Sequence, residues 1–316
     1  MTLSKFTGSS DFTISPQGPF SLKEAATFGF GQRAGADWDE VMRLAFCVDG
    51  YRSQVGVEVS QDANGGVHGS VSGAADLDVV RGQVARVLSL DHDGTEFVKV
   101  AERDPVIARL QQAAPGLRPP LFHSPYEAAA WSVLSARRPV RQMMTIRQRL
   151  SEAHGTTFEL AGQQLAAFPL PEALLAVTSF PGIPADKLDR LHGVAKAALA
   201  GELDAATLLE LGPDEAMTRL QQIKGIGPFY SSLIVIRGTG FADVLPLAEP
   251  KALALTASLY DLDEPVSETK FIELAQAWRP LRTWAVVLIR AAGPRILAEP
   301  PATIKPAKPP RVLIAS

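Results

Sequence analysis

The sequence is short of cysteine and histidine and has no long apolar run, and each shortage excludes a class of protein. Cys47 is the only cysteine among 316 residues, so an internal disulfide is impossible and the chain fits a reducing cytoplasm. One cysteine and five histidines are too few to suggest a structural zinc site. No apolar run reaches membrane-spanning length, and the N-terminus lacks a basic and then apolar signal pattern. We therefore expect a cytoplasmic protein with no membrane partner.

An excess of positive charge is also missing, because the formal net charge is −3. A nucleic-acid partner would therefore have to be attracted by a local basic face rather than by the charge of the whole chain. One segment offers such a face, with five arginines within thirteen residues and no acid among them: Arg137, Arg138, Arg141, Arg147 and Arg149. An ordinary solvated helix face would have the same pattern, so both interpretations stay open.

Length and composition indicate an ordinary globular protein with room for two domains, since 46% of the residues are hydrophobic and 21% are charged. Residues 1–115 are predicted to form an α+β domain with a small antiparallel sheet. In it Tyr51 to Val59 alternates like a strand, residues 62–66 form a hairpin turn, and residues 67–71 return as the partner strand.

Residues 116–298 are predicted to be almost entirely helical, and residues 299–316 to be an extended or disordered tail that contains five prolines. Ser124 and Pro125 together make a helix start, as cap and first helical residue. Helical spacing predicts helices at 77–88, 105–113, 140–154, 171–177, 186–200, 204–211, 251–260, 268–277 and 281–291.

The run from Leu220 to Phe229 is the most informative segment, because it predicts two helices joined by a very tight turn. Gly225 and Gly227 interrupt the helical spacing at nearly adjacent positions, where backbone conformations closed to other residues become available. Pro228 can open the next helix, whose free amides suit a phosphate group. A Gly-x-Gly turn is often only a tight corner, and that alternative stays open. The candidate phosphate-binding residues are Lys224, Gly225, Ile226 and Gly227.

With its surroundings, this turn resembles the helix-hairpin-helix DNA glycosylases, most closely the 3-methyladenine DNA glycosylase II family. The family hairpin reads Pro-Gly-Ile-Gly before an aromatic residue, and a loop about twenty residues later carries an aspartate. The similarity extends over roughly residues 18–293. It includes the segments Gly116–Pro120, Pro125–Glu127, Ser179–Pro184 and Ala277–Ala285.

The resemblance implies a mostly α fold with an α+β N-terminal domain and two helical subdomains that flank a DNA-binding cleft. The hairpin would lie at about 213–237. The implied function is base-excision repair in the nucleoid. A monomeric hydrolase would flip an alkylated base of the 3-methyladenine or 7-methylguanine type out of duplex DNA and cleave its N-glycosidic bond. No protein partner is inferred, and a monofunctional enzyme is expected because Pro228–Ser231 offers no lysine nucleophile.

By the same resemblance, Glu249 stands where the family has its catalytic aspartate, and Asp243 begins the loop in a turn or cap position. Phe229 and Trp278 match aromatic residues that line the base pocket. Arg137 takes the place of the wedge residue that fills the gap left by the flipped base, and Arg138 lies beside it. No catalytic cofactor is implied. A structural Na⁺ or K⁺ would be held by the backbone carbonyls of Gln221, Ile223 and Ile226.

Two other interpretations remain. Replacement of the aspartate and of the usual wedge loop would also fit a DNA-binding member of the same fold that has weak, absent or redirected glycosylase activity. Alternatively, an acidic two-domain protein could use the hairpin for protein contacts.

Overall fold

The computed structural model describes residues 10–28, 38–247, 249–263 and 266–298, so the proline-rich tail expected at 299–316 lies outside the described residues. Within the described part of the chain, the N-terminal region forms an antiparallel sheet with strand order β1-β4-β3-β2. Its strands are β1 (Ser10–Ile14), β2 (Met42–Cys47), β3 (Gln54–Gln61) and β4 (Val67–Ser72).

The predicted hairpin of this sheet is confirmed, with Gln61 paired to Val67 across the turn. The Asp62 carboxylate accepts the amides of Asn64 and Gly66, which fixes the turn that the sequence indicates. The first strand of this hairpin, β3, begins at Gln54 rather than at Tyr51, because Tyr51 lies in a turn with φ +55°. Strand β2 is buried along nearly its whole length, so it lacks the alternation by which a half-exposed strand is recognised.

The rest of the described chain is mostly helical, and the predicted helices are found within about three residues of their expected bounds, except that the last one runs to Ala298 rather than to Ala291. The helices are α1 (Leu22–Thr27), α2 (Leu77–Val87), α3 (Thr95–Arg103), α4 (Pro105–Ala113), α5 (Pro125–Ser135), α6 (Val140–His154), α7 (Pro171–Leu175), α8 (Ala185–Leu199), α9 (Ala205–Leu211), α10 (Pro213–Leu220), α11 (Pro228–Ile234), α12 (Pro250–Leu259), α13 (Glu268–Leu274) and α14 (Arg282–Ala298). A short hairpin of β5 (Thr157–Leu160) and β6 (Gln163–Ala166) follows α6, and a π-helical turn (Val235–Thr239) continues α11.

Helices α1 and α2 pack against the four-stranded sheet, and the other helices divide between two further hydrophobic cores. Helices α5 to α11 enclose one core, and we call this part the first subdomain. Helices α12 to α14 form the second subdomain together with α3 and α4, although the latter two precede the predicted boundary at residue 115. The loop from Gly240 to Glu249 connects the two subdomains. Its Phe241 packs on the first core, and its Ala242 and Leu245 pack on the second.

Candidate functional site

Two buried isoleucines anchor the turn between α10 and α11 in the core of the first subdomain. Ile223 and Ile226 are buried in the core of the first subdomain, and the amide of Ile226 donates to the carbonyl of Ile223 at 2.9 Å. Lys224 and Gly225 lie on the other side of the turn and are exposed. The alternation of buried and exposed residues therefore fixes the turn in the core and presents its outer edge to solvent.

The two glycines of the turn act in different ways. Gly225 has φ +100°, where a side chain is strained, and a Cβ there would come within 3.0 Å of Cδ of Arg190. Gly227 has φ −95°, an ordinary conformation, so the expectation that both glycines supply unusual backbone geometry is right only for Gly225. A Cβ at Gly227 would meet nothing within 4 Å, so this glycine keeps the space before the turn open. Among the described residues, the amides of both glycines lack a hydrogen-bond partner.

A second basic segment lies in the loop between α5 and α6, where Arg137 and Arg138 are exposed as expected. Arg137 adopts φ +55°, an uncommon conformation for a residue with a side chain, and marks the tip of the loop. From α8, the ammonium group of Lys187 donates to the carbonyls of Leu134 at 2.7 Å and Ala136 at 3.2 Å. It thereby caps the C-terminal end of α5, where carbonyls lack helical partners.

Helix α8 connects this loop with the hairpin turn. Burial and the nearby Arg138 and Arg190 lower the pKa of Lys187 against the opposing effect of Asp186, which shows that positive groups gather here. Arg190 lies against Gly225 and also pairs with Asp186 at 3.2 Å. Lys187 and Arg190 were not predicted from the sequence as site residues, although their spacing of three residues on a predicted helix would place them on one face. Lys187 is buried, so we call the three groups that solvent reaches, Arg138, Arg190 and Lys224, the basic strip.

The five-arginine run does not act as one face. Arg147 donates to the buried carboxylate of Glu127 at 2.7 Å and stacks on the ring of Phe168. Burial alone would raise the pKa of Glu127, but His123 and Arg147 hold it below its ordinary value. Arg147 is therefore committed to the core. The other four arginines of the run are exposed at the surface.

Asp243 stands at the beginning of the connecting loop, and two arginines hold its carboxylate. Arg282 Nε donates to it at 2.8 Å and Arg279 Nη1 at 3.0 Å, while the backbone amide of Arg282 donates at 3.3 Å. Since Arg282 is the first residue of α14, Asp243 receives an amide at the N-terminal end of that helix. Asp243 thus caps the N-terminal end of α14, which agrees with the turn or cap position expected for it.

Glu249 stands at the end of the same loop, directly before Pro250 begins α12. Its backbone is extended, and its side chain does not cap α12. Instead its Oε2 accepts a hydrogen bond from Nη1 of Arg290, which belongs to α14. The Glu249 side chain is 24% exposed and that of Arg290 is 33% exposed, so solvent and ligands can reach the pair.

The two expected pocket aromatics lie in contrasting environments. Phe229 is 49% exposed at the start of α11, with its ring edge-on to Tyr230. Trp278 is fully buried, and its indole N–H donates to Asp104 at 2.8 Å. In this conformation Trp278 belongs to the core of the second subdomain, and the expectation that it lines a base pocket stays a prediction. Its buried N–H needs an acceptor, and Asp104 provides one.

The hairpin and the α5–α6 loop are thus brought together across α8, while the Glu249 carboxylate is held separately against α14. No helix in the described ranges is long and apolar enough to cross a membrane.

Comparison with known proteins finds relatives that are named as DNA repair enzymes. No protein-family model matches the chain. The chain is 24% identical over 202 residues to the DNA-3-methyladenine glycosylase of Bacillus subtilis, a match that covers 62% of this chain and 66% of that one. It is 28% identical over 213 residues to the probable bifunctional transcriptional activator/DNA repair enzyme AlkA of Mycobacterium tuberculosis. That match covers 66% of this chain and 42% of the relative, so the chain spans less than two thirds of either protein.

Solved structures show the same fold along most of the chain. The 3-methyladenine DNA glycosylase of Archaeoglobus fulgidus superposes with a TM-score of 0.74 at 19% identity, over 90% of this chain and 99% of that one. The 8-oxoguanine glycosylase/lyase of Clostridium acetobutylicum gives a TM-score of 0.63 at 18% identity, over 90% and 98%. Relatives and fold together confirm the resemblance: the chain is similar in sequence to proteins named as 3-methyladenine DNA glycosylase and AlkA, and it has the fold of the helix-hairpin-helix DNA glycosylases.

Proposed function

We propose that the protein is a monofunctional DNA glycosylase that removes alkylated bases of the 3-methyladenine or 7-methylguanine type from duplex DNA. The observation that carries the proposal is the hairpin turn beside the basic strip, where the amides of Gly225 and Gly227 have no hydrogen-bond partner among the described residues. A Cβ at Gly227 would meet no described atom within 4 Å beyond its chain neighbours, so the backbone there is open to a phosphate group. Such a protein would act on nucleoid DNA in the cytoplasm.

The basic strip gives the protein a local means of binding DNA despite its net charge of −3. Lys224 extends the turn toward a phosphate, and the backbone amides of the turn add hydrogen bonds that need no side chain. Arg137 and Arg138 stand on an exposed loop, from which a guanidinium group can stack on bases or pair with phosphates. We assign them to DNA binding, with Arg137 the first choice for the wedge.

Base removal needs a flipped nucleotide and a negative charge close to its sugar. The base must leave the stack, and the sugar gains positive charge as the glycosidic bond breaks. A carboxylate that is fixed in place before the reaction stabilises that charge. We assign this role to Glu249, because both carboxylate oxygens of Asp243 accept hydrogen bonds from Arg279 or Arg282, whereas among the described residues only Oε2 of Glu249 accepts one. Phe229 is the exposed aromatic available to a cationic alkylated base.

A monovalent cation at the hairpin is part of the proposal. Gln221 ends α10, where helix carbonyls lack partners, and the carbonyl of Ile223 keeps one lone pair free after accepting the Ile226 amide. With the carbonyl of Ile226, these residues offer the uncharged oxygen ligands that suit Na⁺ or K⁺. When bound, the ion would supply positive charge between the turn and a DNA phosphate.

Strand cleavage after base removal would require a lysine nucleophile close to the sugar. Lys187 is committed to the carbonyls at the end of α5, and Lys224 lies in the exposed turn. We therefore propose that the abasic strand remains intact.

The experiment is base release from duplex DNA that has been treated with dimethyl sulfate, with free 3-methyladenine and 7-methylguanine measured by chromatography. The full-length protein is expected to release at least one of them and to leave the abasic strand uncut, whereas Glu249→Gln is expected to bind the duplex without release. DNA binding by the unmodified protein with no base release would contradict the proposal and indicate a DNA-binding member of the fold.

A further inference from the structure

By the resemblance given above, Glu249 occupies the position where the glycosylase family has an aspartate. The contact between Glu249 and Arg290 suggests how the longer side chain can be held there. A glutamate side chain has one more rotatable bond than an aspartate side chain, so its carboxylate explores more positions when it is unrestrained. A carboxylate misplaced by about 1 Å can cost roughly a hundredfold in rate. A working glutamate at this position therefore needs something to fix its carboxylate.

The backbone already contributes part of that restraint. Pro250 follows Glu249 and limits its backbone to extended conformations, and φ −107° with ψ 93° lies in that range. Although Glu249 directly precedes α12, its carboxylate does not cap the helix. The side chain is turned toward α14 instead. With the backbone of Glu249 restrained, only its side-chain torsions remain to be fixed.

Arg290 removes that freedom from the opposite side. It lies within α14, and one turn further along the same helix Gly293 lets α14 approach Leu255 and Leu259 of α12 closely. A Cβ at Gly293 would come within 3.2 Å of Leu259. The packing of the two helices therefore holds Arg290 beside the start of α12, where Nη1 of Arg290 donates to Oε2 of Glu249. A hydrogen bond between two charged groups is short and directional.

We infer that Arg290 is the positioning residue for Glu249, and that it compensates for the longer acidic side chain. The inference rests on the proposed function. Arg290 engages only Oε2, and Oε1 of Glu249 has no hydrogen-bond partner in the described part of the structure. One oxygen is thus anchored, and the other remains available to the sugar.

Arg290 has two opposing effects on the rate of base release: it neutralises part of the charge of Glu249, and it orients the carboxylate. The larger effect determines whether Arg290 slows or accelerates the reaction. The guanidinium group offsets part of the negative charge that should stabilise the sugar. For an ion pair as open to solvent as this one, that effect is modest, about fivefold or less in an equilibrium constant. Loss of orientation costs more, up to roughly a hundredfold in rate. The net effect of Arg290 is therefore to accelerate base release.

The test measures the single-turnover rate of 7-methylguanine release from a duplex oligonucleotide with enzyme in excess, together with duplex affinity. Arg290→Gln is expected to lower the rate about 10- to 100-fold and to change the affinity less than about threefold. Arg290→Lys keeps a charged donor and is expected to recover most of the rate. Arg295→Gln is the control, because it removes from the same helix an arginine that contacts Glu24 and the Ala113 carbonyl but not Glu249.

A double-mutant comparison separates positioning from a structural role. In a Glu249→Gln background, Arg290→Gln is expected to cause no further loss of the residual rate, because nothing remains to position. An equal loss in both backgrounds, an unchanged or faster rate in Arg290→Gln, or a loss seen only in affinity would overturn the inference while the proposed function stands. If the unmodified protein releases no base from any alkylated duplex, the proposed function fails and this inference fails with it.

Discussion

The hairpin turn presents its polar groups to solvent, whereas the second subdomain uses its polar groups within the protein. At the turn, Lys224 is exposed and the amides of Gly225 and Gly227 lack partners in the described structure. In the second subdomain, Trp278 donates to Asp104, and Arg279 and Arg282 hold Asp243. An unpartnered donor at the surface is available to a ligand, while a satisfied donor in the core stabilises the fold. The two regions should therefore respond differently to substitution.

The largest expected effect on stability contrasts two aromatic residues. Trp278→Ala should lower the free energy of unfolding by about 3–5 kcal/mol, because it leaves a cavity in the core and deprives Asp104 of a donor. Phe229→Ala should change it by less than about 0.5 kcal/mol, since that side chain is half exposed. Urea unfolding followed by circular dichroism measures both. Equal losses would break the contrast between the two regions.

The same contrast predicts a smaller effect at Asp243. Asp243→Asn should lower the free energy of unfolding by about 1–2 kcal/mol, because it weakens charged hydrogen bonds to two arginines at the start of α14. Glu273→Gln is the control, since it removes an exposed ion pair with Lys270 and should have almost no effect. Thermal and urea unfolding compare the two variants. An Asp243→Asn protein as stable as the control would show that the carboxylate is not a structural anchor.

The sequence predicted those features that depend on neighbouring residues along the chain, and it did not predict contacts between distant residues. Helices such as α5, with Ser124 as its cap and Pro125 as its first residue, follow from spacing and capping along one stretch of chain. The burial of Trp278 depends on Asp104, which lies 174 residues away, and the Glu249 contact depends on Arg290, which lies 41 residues away. No local pattern contains such pairs. The motif around Trp278 identified the family but carried no information on how the ring packs.

Within the turn itself, substitutions at the two glycines should have different effects. Gly225→Ala should lower the free energy of unfolding by about 1–2 kcal/mol, because alanine is strained at φ +100°. Gly227→Ala should leave stability unchanged and weaken duplex binding, because its methyl group would project into the open space before the turn. Unfolding and fluorescence-anisotropy titrations with duplex DNA measure the two effects. If Gly227→Ala binds duplex as tightly as the unmodified protein, the turn is not the phosphate contact.

We propose that the two carboxylates of the connecting loop have separate tasks, Glu249 in the chemistry and Asp243 in the fold. The most direct measurement is the single-turnover rate of 7-methylguanine release for Glu249→Gln and Asp243→Asn, with each rate corrected for the folded fraction. We expect Glu249→Gln to lower the rate about a hundredfold or more with unchanged stability, and Asp243→Asn to keep a rate within about tenfold of the unmodified protein. An active Glu249→Gln protein beside an inactive but folded Asp243→Asn protein would contradict this proposal.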